Sequence, residues 1–394
     1  MNKTTVLRHY CTGCGLCHSF EKVDFSVDKK GYEWPEIVTE EQAEMMLKVC
    51  PSSGIQLPFM DSSTIWGNYR SAYYGFATDK EIRKKASSGG ILTALSIYLI
   101  TENVVDGVIQ TCADPQAPHK TITVVNRDVK SVLKCMGSRY SISMPLYNIE
   151  SLCEENRKYA FIGKPCDVSA LRMYINNVNP SLGEKIPYTF SFFCAGEPSE
   201  EAQMILLSHL GCKKISDCKS LSYRGNGWPG LTTCENIDGN KHYMSYSASW
   251  GKILGRDIRV CCRFCMDGIG EFADISCGDA WYLKSDNSPD FNERDGRSIV
   301  FARTSIGEKM ISDATEKGYI KIEIANVPEL KYSQLYQYDR KSTMISKMLA
   351  MKTLRKVTPL YSLKEISKFM KFSNPKRLVK VFMGTISRAK QGKM

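Results

Sequence analysis

The chain has 394 residues, of which 43% are hydrophobic and 24% charged, a balance that fits a folded globular protein and excludes a disordered or fibrous one. Its longest apolar run, Ile91 to Ile100, is too short to span a bilayer and reads as core. The net charge of +11 is uneven, because Arg340 to Met394 holds fifteen Lys or Arg against the single acid Glu365.

The N-terminal Met1-Asn-Lys-Thr-Thr has no apolar stretch of the kind found in signal peptides, so a reducing cytoplasmic setting is expected. The sixteen cysteines are then read as cluster ligands and buried thiols, not as disulfides. Cys11-Thr-Gly-Cys14-Gly-Leu-Cys17, followed by Cys50-Pro51, carries the strongest chemical signal. Three thiolates at i, i+3 and i+6 can take three iron corners of a cubane while a distant cysteine takes the fourth, so one 4Fe-4S cluster is expected here. Gly13 and Gly15 let the loop curl and bring its amides close to sulfide. Zinc is the alternative, but a third cysteine in the same loop does not suit a tetrahedral structural site. Residues 1–60 are therefore expected to form a ferredoxin-like cluster module, with Asp61 to Thr64 as a linker.

From Tyr69 onward, strand-like runs (Val105 to Thr111, Lys120 to Val125, Lys158 to Gly163, Tyr188 to Phe193) alternate with helical patterns after Ser88, Asp128, Asp167 and Ser199. This predicts an α/β (mixed α+β) domain over 69–330. The hydroxyl of Ser199 is expected to cap its helix. Arg224-Gly-Asn-Gly-Trp228-Pro-Gly230 and the Asp238-Gly239 hairpin signal bracket short strands, and the strand Ser298 to Arg303 precedes a helix from Ile306.

A second cysteine group lies far from the first. Cys262-Arg-Phe-Cys265 cannot complete a site alone. Cys166 ends one predicted strand and opens a helix, and Cys194 ends another; in an open α/β sheet such strand ends converge on the ligand crevice. Cys166, Cys194, Cys262 and Cys265 are thus candidates for a second 4Fe-4S cluster, with Cys261 and Cys277 as substitutes and ordinary buried thiols as the plain alternative.

Ala86-Ser-Ser-Gly-Gly-Ile-Leu-Thr-Ala-Leu95, Gly137-Ser-Arg-Tyr140, Gly163-Lys-Pro-Cys166, Phe193-Cys194, Tyr223 to Gly230, Cys262 to Asp267 and Ala273-Asp-Ile-Ser-Cys-Gly-Asp279 follow one another in an order that resembles the coenzyme F420 hydrogenase/dehydrogenase beta-subunit family, from about Tyr69 to about Ile320. The N-terminal loop is similar to that of members carrying a ferredoxin-like extension. The resemblance implies FAD, iron-sulfur clusters that exchange electrons with it, and a deazaflavin or a pigment as the two-electron partner. It also implies that Cys166, Cys194, Cys262 and Cys265 are the ligands of the family's shared cluster. Relatives with two ferredoxin-type clusters carry eight N-terminal cysteines; this chain has four, with thirty-two residues between Cys17 and Cys50, so one cluster is expected there.

Within that frame Ser87, Ser88, Gly89 and Gly90 offer hydroxyls and unobstructed amides to a pyrophosphate, although such a loop also serves as plain helix capping. Arg139 and Lys164 are candidates for flavin phosphates or the pyrimidine end of the ring. Tyr140 accompanies Arg139 in its motif. Asp279 is expected either to bind a ribityl hydroxyl or to cap a turn, and Trp228 and Trp281 either to stack on a flavin or deazaflavin ring or simply to pack. No nucleophile motif is present, and His9, His18, His119, His209 and His242 are isolated.

The basic segment 340–394, expected to be helical, reads either as a solvated helix pair on the body or as a docking face for an acidic electron carrier or an anionic membrane surface, which leaves peripheral attachment at the inner face of the membrane open. Nucleic acid is not expected as a partner. The expectation is an FAD and 4Fe-4S oxidoreductase taking electrons from a ferredoxin-like carrier; an electron-relay subunit serving a partner enzyme is the alternative.

Overall fold

The computed structural model describes residues 3–20, 23–36, 39–54 and 63–394. Asp61 and Ser62 of the expected linker lie outside the described residues.

In chain order the strands are β1 (Asp24–Val27), β2 (Glu33–Glu36), β3 (Ser71–Ala77), β4 (Gly107–Ala113), β5 (Thr121–Asn126), β6 (Tyr159–Gly163), β7 (Tyr188–Phe192), β8 (Cys218–Ser222), β9 (Leu231–Asn236), β10 (Lys241–Ser245), β11 (Ile275–Asp279), β12 (Ser298–Ala302) and β13 (Ile320–Ile324). Eight of them form one mixed sheet in the order β13-β3-β12-β11-β7-β6-β4-β5. Its centre, β4, β6, β7 and β11, is parallel, and antiparallel strands close both flanks. β6 and β12 are buried at every position, as strands covered on both faces require. The chain is thus mixed α and β, as expected from the alternation of patterns.

Local chemistry accounts for the element boundaries. Ser199 Oγ accepts from the amide of Ala202 at 3.1 Å and starts helix Glu200–His209. Asp128 accepts from Ser131 at 2.9 Å before Val129–Lys134. The helix expected after Asp167 begins earlier, at Pro165, because Pro fits the first turn and the Asp167 carboxylate reaches back to the amide of Lys164 at 2.8 Å. The Asp238-Gly239 turn joins β9 to β10, with Gly239 at φ 82°. β11 was not signalled by composition, since Ser, Gly and Asp are poor strand formers. It sits at the sheet centre because its polar groups are paired: Ser276 Oγ accepts from Arg303 Nε at 3.0 Å.

The three parallel strands β6, β7 and β11 end side by side, with Gly163 opposite Ser191 and Cys277 opposite Phe192. Their carboxyl ends deliver Lys164 and Cys166, Cys194, and Asp279 to one crevice.

The basic C-terminal segment contains Leu335–Ser342, Met344–Thr353, Leu363–Ser367 and Pro375–Lys390. Its Met344, Met348, Phe369 and Ala389 share an apolar cluster with Val6, Tyr10 and Phe264, and Tyr10 Oη donates to the Val357 carbonyl at 2.7 Å. It is therefore packed on the body, with its cations largely outward. Among the described residues no helix is long and apolar enough to cross a membrane. Phe369 is fully buried, and truncation of such a ring costs about 3–5 kcal/mol. Phe369→Ala is expected to lose stability of that order in chemical denaturation; a loss below about 1 kcal/mol would mean that the segment detaches in solution.

Candidate functional site

The N-terminal loop curls through Gly13 (φ 72°) and Gly15 (φ 84°). A side chain at Gly15 would meet Met144 Cβ at 2.8 Å and the Tyr147 amide at 3.0 Å, so the loop lies directly on the 144–147 segment, where the Leu146 amide donates to the Cys14 carbonyl at 2.9 Å. Helix Glu40–Leu47, started by a Thr39–Gln42 capping box, brings Cys50 to the same place, and the Cys50 amide donates to Met46 O at 2.8 Å. Cys11, Cys14, Cys17 and Cys50 interact electrostatically with one another. Burial pushes Cys14 up to about 12 and Cys50 up to about 11, and it raises Cys11 and Cys17. Four thiols held in the protonated form beside one another, Cys14 buried and the other three half-buried, suit a metal group that replaces the protons.

Cys166, Cys194, Cys261, Cys262 and Cys265 line a second hollow. Cys166 stands in the first turn of Pro165–Asn177, where the helix dipole favours a thiolate or an anionic group. The Cys194 amide donates to Gly268 O at 2.9 Å, and its carbonyl accepts from Gln337 Nε2 at 3.0 Å and Arg340 Nη2 at 3.1 Å. The Glu197 amide donates to Cys262 Sγ at 3.4 Å. Burial raises Cys265 to about 11 and Cys194 to about 12. The sulfurs of Cys261 and Cys262 are 4.0 Å apart, and their contact holds Cys262 below and Cys261 above the ordinary thiol value. Cys277 lies apart from this hollow, in the sheet core on β11. Among the described residues, no group of three His, Cys, Asp or Glu side chains converges as on a single ion.

Above the strand ends opens a cleft of about 480 Å³. Lys164, Cys194, Gly196 and Glu197 line both this cleft and the cysteine hollow, so the two share a wall. Lys164 is almost buried; its ammonium lies 3.2 Å from Glu197 Oε1 and 3.3 Å from Asp167 Oδ2, and it donates to Ser143 Oγ at 2.7 Å. Although burial opposes its charge, the two carboxylates hold Lys164 well above the ordinary ammonium value.

The Ser-Ser-Gly-Gly loop is divided in its duties. Ser88 Oγ donates to Arg297 O at 3.0 Å, and Gly89 packs inward, where a Cβ would meet Gly75 O at 2.5 Å. Gly90 caps Ile91–Thr101 at φ 78°. Ser87 lines the cleft with its hydroxyl buried and unpartnered. Ser333 Oγ, also on the cleft, is likewise unpartnered. Two orphaned hydroxyls around one cleft fit a bound polar molecule that supplies their missing hydrogen bonds.

Arg139 faces the cleft, but its guanidinium donates to Pro118 O at 2.6 Å and Lys120 O at 2.8 Å. Tyr140 packs on Trp250 with ring centres 4.8 Å apart. Asp279 holds Arg224 through two bonds of 2.9 and 3.0 Å and accepts from Trp228 Nε1 at 2.8 Å, so its carboxylate orients these groups. Trp228 and Trp281 stack on each other at 4.5 Å; Trp281 lines the cleft and Trp228 is buried behind it. Sequence motifs did not single out Glu197, Arg259 or Arg340. Each is a lone charged residue whose significance comes only from burial among the cysteines.

Arg224→Met leaves the Asp279 carboxylate without its buried partner, which costs about 3 kcal/mol, and a second change, Asp279→Leu, should recover part of it. Urea denaturation of the single and double variants checks this; additive losses would deny the coupling.

Two family models match the chain: the coenzyme F420 hydrogenase/dehydrogenase beta subunit N-terminal model over residues 72–149 and the C-terminal model over residues 156–327. A coenzyme F420 hydrogenase subunit beta from Methanosarcina barkeri is 30% identical over 64% of this chain and 81% of its own length. One from Methanococcus voltae is 28% identical over 68% and 88% respectively. Among solved structures, a chain of the F420-reducing [NiFe] hydrogenase complex from Methanosarcina barkeri aligns with a TM-score of 0.57 and 26% identity, covering 75% of this chain and 97% of that one.

Proposed function

Because the chain belongs to the coenzyme F420 hydrogenase/dehydrogenase beta-subunit family, we propose that it is a cytoplasmic iron-sulfur flavoprotein oxidoreductase linking a ferredoxin-like one-electron carrier to a two-electron partner such as coenzyme F420 or another small molecule. Cys11, Cys14, Cys17 and Cys50 hold one 4Fe-4S cluster in this reading, and Cys166, Cys194, Cys262 and Cys265 hold a second. Ser87, Ser88, Gly90, Arg139, Tyr140, Lys164 and Asp279 face FAD in the cleft, Asp279 while also holding Arg224, and Gly89 acts from behind by fixing the loop. The clusters supply one-electron steps, and the flavin couples them to two-electron hydride chemistry.

The observation that carries this reading is the wall common to the cysteine hollow and the cleft, formed by Lys164, Cys194, Gly196 and Glu197. Through Cys194 the second thiol set reaches the ligand crevice. Tyr10 and Thr12, which flank Cys11, line the same hollow, as do Pro51 and Ser52 beside Cys50. The N-terminal loop and the cleft thus both adjoin the second hollow, which supports an electron path in that order. The protein's own part is to exclude water from the thiols, to keep cations beside groups that gain negative charge on reduction, and to orient the bound ring.

The relatives are named as subunits, which favours one further reading: a relay that serves a partner enzyme and turns over no substrate itself. Reduction or oxidation of a small molecule by the isolated chain would exclude that relay.

Anaerobic purification with iron, sulfide, zinc and flavin quantification is the direct test. About eight irons and one FAD per chain are expected. Cys265→Ser should retain flavin and fall to about four irons; zinc without flavin would overturn the proposal. Ser87→Ala removes one hydrogen bond from the cleft, worth about 1–1.5 kcal/mol, so flavin affinity should fall by about tenfold in a fluorescence titration.

A further inference from the structure

Arg259 contacts both cysteine-bearing segments. Its backbone belongs to the second: the Arg259 carbonyl accepts from the Cys262 amide at 3.1 Å, at the start of the turn that carries Cys262 and Cys265. Its side chain reaches the first. A Cβ at Gly13 would lie 2.5 Å from Arg259 Nη2, so the guanidinium rests against the Cys11–Cys14 loop at the position of a missing side chain.

The guanidinium is 1% exposed and only partly satisfied. Nε donates to Glu197 Oε2 at 2.8 Å, whereas Nη1 and Nη2 have no hydrogen-bond partner. Tyr32 and Trp34 cover it, with ring centres 4.2 and 5.0 Å from Cζ. Burial opposes the charge, yet Glu197, Cys11 and Cys261 hold Arg259 above the ordinary guanidinium value. Two buried N–H groups left without acceptors are costly unless something else accepts from them. The guanidinium interacts electrostatically with Cys11 of the first set and with Cys261 and Cys262 at the second, and an anionic iron-sulfur group bound to these cysteines would supply acceptors.

We propose that Arg259 is a shared electrostatic residue of the two metal centres, donating Nη hydrogen bonds toward the N-terminal one and biasing the reduction potentials of both. The proposal rests on the two-cluster reading above. Each reduction adds one electron, and so one negative charge, to a buried group. A fixed cation nearby favours that reduced form and raises the midpoint. Glu197, anchored by Lys164 and the Ser143 amide at 3.3 Å, sets the opposing field. The sign of the effect follows from which member of the pair is removed.

The test uses the full chain, purified anaerobically, with iron counted before an EPR-monitored potentiometric titration. Arg259→Gln should keep the wild-type iron content and lower both midpoints, with the larger shift at the N-terminal centre. Arg259→Lys should restore most of the shift, because it returns the charge but not the planar donor pair. Glu197→Gln should move both midpoints upward, and it serves as the test if Arg259→Gln loses its iron. Unchanged midpoints in iron-replete Arg259→Gln, or a downward shift in Glu197→Gln, would overturn the assignment. A wild-type protein with about four irons or none would instead refute the two-cluster reading itself, so the two failures are distinguishable.

Discussion

Two buried cations, Lys164 and Arg259, share the Glu197 carboxylate, and the architecture around the cysteines depends on that sharing. An isolated ion in a protein interior costs several kcal/mol, which Glu197 offsets for Arg259 and, together with Asp167, for Lys164. Glu197 is held in turn from its own backbone, where Tyr32 Oη donates to its carbonyl at 3.0 Å and the Arg259 amide donates to the same oxygen at 3.0 Å. One acidic residue therefore joins the β1–β2 ribbon through its carbonyl, the Cys262 turn and the cleft through its carboxylate, and the N-terminal loop through Arg259. Its placement at the ends of parallel strands follows from topology, since β6 and β7 release their chains there in register.

Much of this was legible in the sequence. The apolar runs located β4, β6 and β7 to within a few residues, because buried parallel strands are written in near-continuous apolar residues. Cysteine spacing marked the N-terminal loop, and strand-end positions brought Cys166 and Cys194 together with Cys262 and Cys265. The glycine-rich loop was legible only in outline: which serine faces the cleft depends on β3 and β12, against which Gly89 packs, and no local pattern encodes that contact. Asp279 reads in sequence as a free ligand or a turn cap, yet Arg224, fifty-five positions away, occupies its oxygens. Glu197 and Arg259 were hidden for a similar reason. Charged residues are ordinarily exposed, so a single Glu or Arg carries no sign that it will be buried with a partner.

In the basic C-terminal segment charge and packing fall on different faces. Of its two sequence readings, a helix pair on the body and a docking face, the first accords with its apolar residues, which complete a core begun by Val6 and Tyr10. Its first cations are not solvated at all: Arg340 donates to the Cys194 carbonyl, and Lys341 pairs with Glu271 at 2.5 Å. Long cationic side chains can serve both purposes because their stems cover apolar surface while their heads find partners or water.

Arg340, Pro359 and Tyr361, all from that last segment, line the second cysteine hollow together with residues from Tyr10 onward. Residues near both ends of the described chain thus meet over thiols contributed from its middle. A metal group bound to those thiols would tie together stretches far apart in sequence, so that the free energy of its binding would be shared by all of them.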